Sequence, residues 1–290
     1  MNTTHRTQLQ LSIAMILAGT TPLASQIIGH GLPPFTAGTL RFAMALPLLY
    51  GLMRYQRQAW PRPPRRDLGL LLLQAACGSI GYTSLLILGM QQTRVSDAAI
   101  LSATLPAVTA LLGWLLLGSR PGLRLMLAIA LATAGACTLQ WPGSRPDGQA
   151  SHWLGNALVL TAVMCEGLFI LLQRRLSQPI PPLSLSCMLC LLALLLSVPL
   201  ALLEPQSHWS GSAVLGCLYY AALPTALGYW LWYSGAATLG ASRAALFTVI
   251  MPLTATVLGV LNGEALYGVQ VLGLLITLLA LWLAATSPQA

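Results

Sequence analysis

Two side chains whose charge could do chemistry, Arg41 and Glu166, lie inside long apolar stretches of this 290-residue chain. A charge at the centre of a bilayer costs from about 2.5 kcal/mol upward, so such a residue faces the protein interior and usually serves a function. Glu166 falls about fourteen residues into its stretch, or roughly 21 Å along a helix rising 1.5 Å per residue. There its carboxyl can bind a substrate ammonium group, carry a coupled proton or brace neighbouring helices, and the first two uses are the expectation. Arg41 lies about seven residues from the end of its stretch and can snorkel outward, so a structural use is expected for it.

Aromatic residues accompany the buried acid. Gly81-Tyr82 reappears as Gly228-Tyr229, and Tyr233 follows Tyr229 at a spacing of four, which puts both rings on one helix face. Such a face suits a cavity wall, with Trp230 turned to lipid or a neighbouring helix. Thr20 stands 146 residues before Glu166, and both are polar positions at mid-stretch. The expected substrate-binding set is therefore Thr20, Tyr82, Glu166, Tyr229 and Tyr233.

Other chemistries find little support. Cys187 and Cys190 form a C-x-x-C, but on an apolar helix these are two small residues on one face with no nearby His or second pair to complete a metal site. No phosphate-binding G-x-x-x-x-G-K-[ST], H-E-x-x-H or G-x-S-x-G occurs, and His5, His30, His152 and His208 fall at stretch ends or in loops. No metal and no cofactor is expected, and a role as an enzyme is not. The rival readings are an intramembrane enzyme acting on a lipid-like substrate, and a channel.

The elements that must hold these residues follow from composition. Hydrophobic residues are 56% of the chain and charged ones 7%, against about 25% charged in a soluble domain. A span needs about 20 apolar residues. Ten such spans are predicted, near 9–29, 34–54, 68–90, 95–117, 122–141, 152–173, 182–203, 210–236, 242–262 and 266–286. The first is longer than a signal-peptide core and reads as a retained anchor. The expected fold is an all-α membrane protein of ten transmembrane helices.

Internal repetition organises the ten. Ser96-Asp97-Ala98-Ala99 with Pro106 and Gly113 reappears 146 residues later as Ser242-Arg243-Ala244-Ala245 with Pro252 and Gly259. Eight of 27 positions are identical between residues 89–115 and 235–261. The offset predicts two five-helix repeats, 1–146 and 147–290. Because five is odd, the second copy enters the membrane from the opposite side, an inverted repeat of the kind secondary transporters use. Matched helix kinks are expected at Pro106 and Pro252.

Arginine alone carries the positive charge, since the chain has no lysine. With a cytoplasmic N-terminus, eleven arginines fall on the inner side and two, Arg94 and Arg145, on the outer side. That asymmetry follows the positive-inside rule and puts both termini in the cytoplasm. The net charge of +8 thus orients the chain in a cell (inner) membrane and implies no nucleic-acid partner. Asp97 and Glu264 begin predicted spans, where an acid complements a helix N-terminus, and Arg94 is spaced to pair with Asp97.

Taken together, the two five-helix halves, Ala98-Ala99 with Pro106, Ala244-Ala245 with Pro252, the Gly263-Glu264 closing span 9 and the Arg41-Phe42 of span 2 resemble the EamA-type branch of the drug/metabolite transporter superfamily. The resemblance covers nearly the whole chain. It implies a ten-helix carrier with a central cavity walled by helices 1, 3, 4, 6, 8 and 9, exporting small organic solutes such as amino acids, aromatic ones included. Its expected partners are a small-molecule substrate, the lipid bilayer and coupled protons, and the chain is expected to be a monomer. One position departs: the first half carries Gly118-Ser119 where the family has Gly-Glu. Reporter domains fused after Arg62 and after Gly148 should report the cytoplasmic and the outer side respectively; the reverse would overturn the orientation.

Overall fold

The computed structural model describes residues 3–118, 122–138, 153–173, 175–205, 209–239, 244 and 246–285. Ser242, Arg243 and Ala245 of the second motif lie outside these residues, as do Ser119, Arg120, Arg145, Arg174, His152, His208 and the 146/147 junction. Among the described residues the regular structure is entirely helical. In chain order the helices are α1 (Thr3–Gly19), α2 (Thr21–Gly29), α3 (Pro34–Tyr55), α4 (Arg65–Gln74), α5 (Tyr82–Met90), α6 (Val95–Ser102) and α7 (Leu105–Leu117). Then come α8 (Leu123–Thr138), α9 (Trp153–Gln173), α10 (Pro182–Leu202), α11 (Gly211–Tyr220), α12 (Gly228–Leu239), α13 (Ile250–Leu261) and α14 (Gly268–Ala285).

Among the described residues six continuous rods are long and apolar enough to cross a membrane, and a seventh is the α6–α7 pair. The shorter apolar helices α8, α13 and α14 fall where the fifth, ninth and tenth spans are predicted. Large apolar side chains stand on the outside, among them Leu123 at 75% and Leu202 at 74% exposure. Such a surface belongs in hydrocarbon rather than water. The chain is a multi-pass membrane protein.

Each break in a rod has a local cause. Pro22 offers no N–H to the Ala18 carbonyl; the Thr21 hydroxyl donates to that carbonyl instead, at 2.8 Å, and the Thr20 hydroxyl donates to Leu17 at 2.7 Å. Thr104, two residues before Pro106, repeats the second device by donating to Leu101 at 2.6 Å, and there the helix bends by 45°. Pro106 lies in the first turn of α7, and Pro252 lies in the first turn of α13 after a 3₁₀ turn at Leu246–Val249. The expected kinks thus take the form of helix restarts. A first turn leaves its N–H groups without intrahelical partners anyway, so proline costs little there.

Two further breaks are wide π-helical segments, Ala75–Gly81 between α4 and α5 and Ala221–Leu227 between α11 and α12. Their first residues are 146 apart, as are their last. Segments of this kind are rare and tend to occur at functional sites.

A second correspondence joins α3 and α10, which pack through Phe42, Ala45 and Leu49 against Leu189, Cys190 and Ala193. Both begin at paired prolines, Pro33-Pro34-Phe35-Thr36 and Pro181-Pro182-Leu183-Ser184. The carboxylate of Glu204, just past the end of α10, accepts the Phe35 and Thr36 amides at 2.9 and 2.7 Å and the Thr36 hydroxyl at 2.8 Å. Reciprocally Gln58, just past the end of α3, accepts the Ser184 amide at 3.2 Å. Each helix end therefore caps the start of the other, which requires the two to run antiparallel.

These bonds define two ends of the molecule. At one, Glu264 accepts the Val95 and Ser96 amides at 2.7 and 2.9 Å, and Gln91 donates to the Gly29 carbonyl at 2.7 Å. Glu264 thus caps α6, a helix of the other half, rather than the helix it precedes. Arg94 turns to the Ala265 carbonyl at 3.4 Å and the Tyr267 ring, while Asp97 accepts the Gln270 amide at 2.6 Å. At the opposite end Asp67 accepts the Ser177 amide and hydroxyl at 3.1 and 2.7 Å.

Gly19 lets α1 and α13 meet backbone to backbone: a Cβ there would come within 2.5 Å of the Met251 carbonyl oxygen and 2.7 Å of Thr254 Cβ. No rotamer change moves a carbonyl, so Gly19→Ala should lower unfolding stability in detergent by about 1–3 kcal/mol. Gly51, with nothing within 4 Å of its Cβ position, is the internal comparison. Gly51→Ala should leave the melting temperature unchanged or raise it, since alanine is favoured over glycine in a helix by about 1 kcal/mol.

Candidate functional site

Both π-helical segments open onto one cavity of about 140 Å³. A cavity of about 150 Å³ can hold benzene, so this one admits a solute the size of a single ring. Gly78 and Ser79 of the first segment and Pro224 and Thr225 of the second line it, and each pair is the other's counterpart at the 146 offset. Gly78 is needed for a close approach: a Cβ there would fall 2.2 Å from Phe169 Cδ2, and Phe169 forms part of the wall.

Four of the five residues singled out by sequence, Tyr82, Glu166, Tyr229 and Tyr233, lie in this wall. None of the four is fully buried, as suits side chains facing a space. The Tyr229 and Tyr233 rings meet edge to face with centroids 6.1 Å apart. Among the described residues the Glu166 side chain makes no hydrogen bond or ion pair. Trp230 packs into the apolar clusters beside the wall, as expected of its position.

Thr20 is brought elsewhere. Its hydroxyl accepts from Tyr219 at 2.8 Å and donates to the Leu17 carbonyl, and it is the neighbouring Thr21 that lines the cavity. The helix restart at Thr21-Pro22 sets this register, and a repeat offset read from sequence does not resolve a shift of one residue. Pro106 and Pro252 shape their helices and stay out of the wall, although Met251 beside Pro252 reaches it.

Arg41 corrects the sequence reading more sharply. It does not snorkel outward: it is 7% exposed and lines the cavity. Its Nη1 donates to the Thr83 hydroxyl at 2.6 Å, while Nε and Nη2 donate to the Thr225 hydroxyl at 3.2 and 3.0 Å. The guanidinium carbon lies 3.9 Å from the centroid of the Tyr220 ring and 5.3 Å from that of Phe42. Ring faces attract a cation, and more strongly when water is excluded. The signal in the sequence was the guanidinium itself, together with threonines on spans 3 and 8 whose partner could not be named without the fold.

Metal chemistry gains nothing from the geometry. Among the described residues no three His, Cys, Asp or Glu gather to hold an ion, and the Cys190 thiol donates to the Phe42 carbonyl at 3.4 Å. What the wall offers is one cation, one acid, four phenols and several hydroxyls. Those are groups that bind and orient a solute.

Comparisons with known proteins agree with this architecture. The EamA-like transporter family matches twice, over residues 6–140 and 153–286. The uncharacterized transporter YetK of Bacillus subtilis is 30% identical over 272 residues, covering 92% of this chain and 82% of that protein. A probable terminal-alkyne amino-acid exporter of Streptantibioticus cattleyicolor is 27% identical over 206 residues, 70% of this chain and 68% of that one. A crystal structure at 19% identity superposes with a TM-score of 0.68 over 96% of both chains, a likeness of fold. A membrane-embedded chain with a solute-sized cavity between two copies of one family unit is a transporter, and this chain belongs to the EamA-like transporter family.

Proposed function

We propose that the chain is a secondary carrier of the cell (inner) membrane that exports small organic solutes such as amino acids by alternating access around the cavity. In this reading ten spans form two inverted five-helix repeats, 1–146 and 147–290, with both termini cytoplasmic. The observation that carries it is a single cavity walled by matched positions of both halves, Ser79 with Thr225 and Gly78 with Pro224. The exchange of caps between α3 and α10 supports the inversion, because only antiparallel counterparts can cap each other.

The cavity reaches from Arg41, about 10 Å along α3 from the Glu204 end, to Ser186, about 6 Å along α10 from the Gln58 end. It is nearer the end where Arg54, Arg62, Arg65, Arg66 and Arg175 cluster. By the positive-inside rule that end is cytoplasmic, so this arrangement suits loading from the cell interior. Glu166, an acid without a hydrogen-bond or ion-pair partner among the described residues, is the group that holds the solute's cation or the coupled proton. The name of the amino-acid exporter among the relatives favours amino acids over other solutes. In this reading the chain acts as a monomer, and the wall groups serve binding rather than catalysis.

Counterflow in proteoliposomes tests the reading. Vesicles preloaded with a mixture of L-amino acids should take up a labelled member of the mixture transiently against its gradient. A channel gives no such overshoot, and product formation without a gradient would indicate an enzyme. Glu166→Gln should abolish or uncouple the overshoot while expression and melting temperature stay close to wild type. A Glu166→Gln protein that transports normally across the pH range would remove the residue from the mechanism, and one that fails to fold would favour the bracing role.

A further inference from the structure

Two charges line the cavity, and they come from different halves. Arg41 belongs to the first; the position matching it by the paired-proline offset of 148 is Leu189, an apolar wall residue. Glu166 belongs to the second, and its match at the 146 offset is Thr20. Repetition therefore supplies the Ser79–Thr225 hydroxyl pair and the wide turns in duplicate but each charge only once.

Among the described residues neither side chain has a counter-ion. A guanidinium has five N–H donors, and Arg41 uses three, all on neutral hydroxyls. One N–H remains on each of Nη1 and Nη2. Tyr220 covers a face of the group and Thr83 and Thr225 hold its edges, so the plane of the fork is set before any ligand arrives. Among the described residues no Asp or Glu forms an ion pair with it, and none of the described Arg or His pairs with Glu166. A buried charge without a counter-ion is costly to keep, and the two charges sum to zero across one space.

We propose that Arg41 and Glu166 are the two ends of a site for a zwitterionic α-amino acid, the guanidinium taking the carboxylate and Glu166 the ammonium group. This rests on the carrier reading above and deepens it. A planar fork matches the two oxygens of a carboxylate, and a charge-assisted pair of bonds is stronger than the neutral ones Arg41 already makes. A solute carrying only an amine would leave Arg41 uncompensated, and one carrying only an anion would leave Glu166 so. A ligand with both charges gives each wall charge its own counter-ion, keeps the sum in the cavity at zero and itself crosses with no net charge. The tyrosines then contact the side chain, and the cavity volume limits its size.

The experiment compares acids with their amides on the unmodified protein. Proteoliposomes are loaded with a mixture of L-amino acids, and a parallel set with the same amino acids as carboxamides, which keep the ammonium group and side chain but lose the carboxylate. Release is followed by mass spectrometry beside protein-free vesicles. Acids should leave about 10- to 100-fold faster than amides, the factor expected for losing hydrogen bonds to a charged group. Arg41→Lys keeps the charge without the fork and should give intermediate rates, while Arg41→Gln should remove the preference for acids, with melting temperatures recorded to separate folding from recognition. Equal release of acids and amides by the wild type would overturn the proposal and leave the carrier reading standing. Release of neither would overturn the carrier reading and this proposal with it.

Discussion

A cation inside a membrane protein has to be surrounded before the fold is stable, and the surroundings of Arg41 dictate much of this one. Its guanidinium gathers hydroxyls from α5 and from the second π-helical segment and a ring from α11, so spans 2, 3 and 8 must converge on one point. Thr225 can serve because it sits within the wide segment, whose register departs from that of an ordinary α-helix. Ser79 of the matching segment in span 3 lines the same cavity. A cavity is left where the helices separate, and Arg41 and Glu166 both look into it.

What keeps the helices in register around that point is a set of caps made across the chain rather than within each helix. Glu204 and Glu264, both from the second half, hold the starts of α3 and α6 in the first. A side-chain cap of this type contributes about 0.5–2 kcal/mol, and a carboxylate bound to amides is stronger than a neutral amide in the same place. In the matched pair, Glu204 against Gln58, the charged cap stands at the end farther from the cavity. The first half carries Gly118-Ser119 where the second carries Gly263-Glu264, and the glutamate of the second half is a cap on the first.

Much of this was legible in the sequence, and the remainder failed for physical reasons. Apolar length and arginine placement gave the membrane class, and a buried acid with aromatics at matched offsets pointed to Tyr82, Glu166, Tyr229 and Tyr233, which share one wall. Arg41 was misjudged because snorkelling and inward burial start from the same helix position. The choice depends on hydroxyls 42 and 184 residues away in the chain. Glu264 was matched to the wrong helix because an acid at a helix start usually serves its own first turn. The π-helical segments leave no trace in composition, since widening a turn changes hydrogen-bond register and not residue type. Pro-Pro-Phe-Thr at 33–36 and Pro-Pro-Leu-Ser at 181–184 mark the paired starts of α3 and α10 in the sequence itself.

The proposed carrier cycle requires the two halves to rock about a solute held at the cavity, opening the Glu264-capped end as the other closes. Distances between spin labels at Gln91 and Asn262, exposed residues of opposite halves at the capped end, measured in a cysteine-free background, test it most directly. Rocking predicts two distance populations, with the longer one gaining weight when the L-amino-acid mixture is added. A single distribution that the mixture leaves unchanged would contradict it.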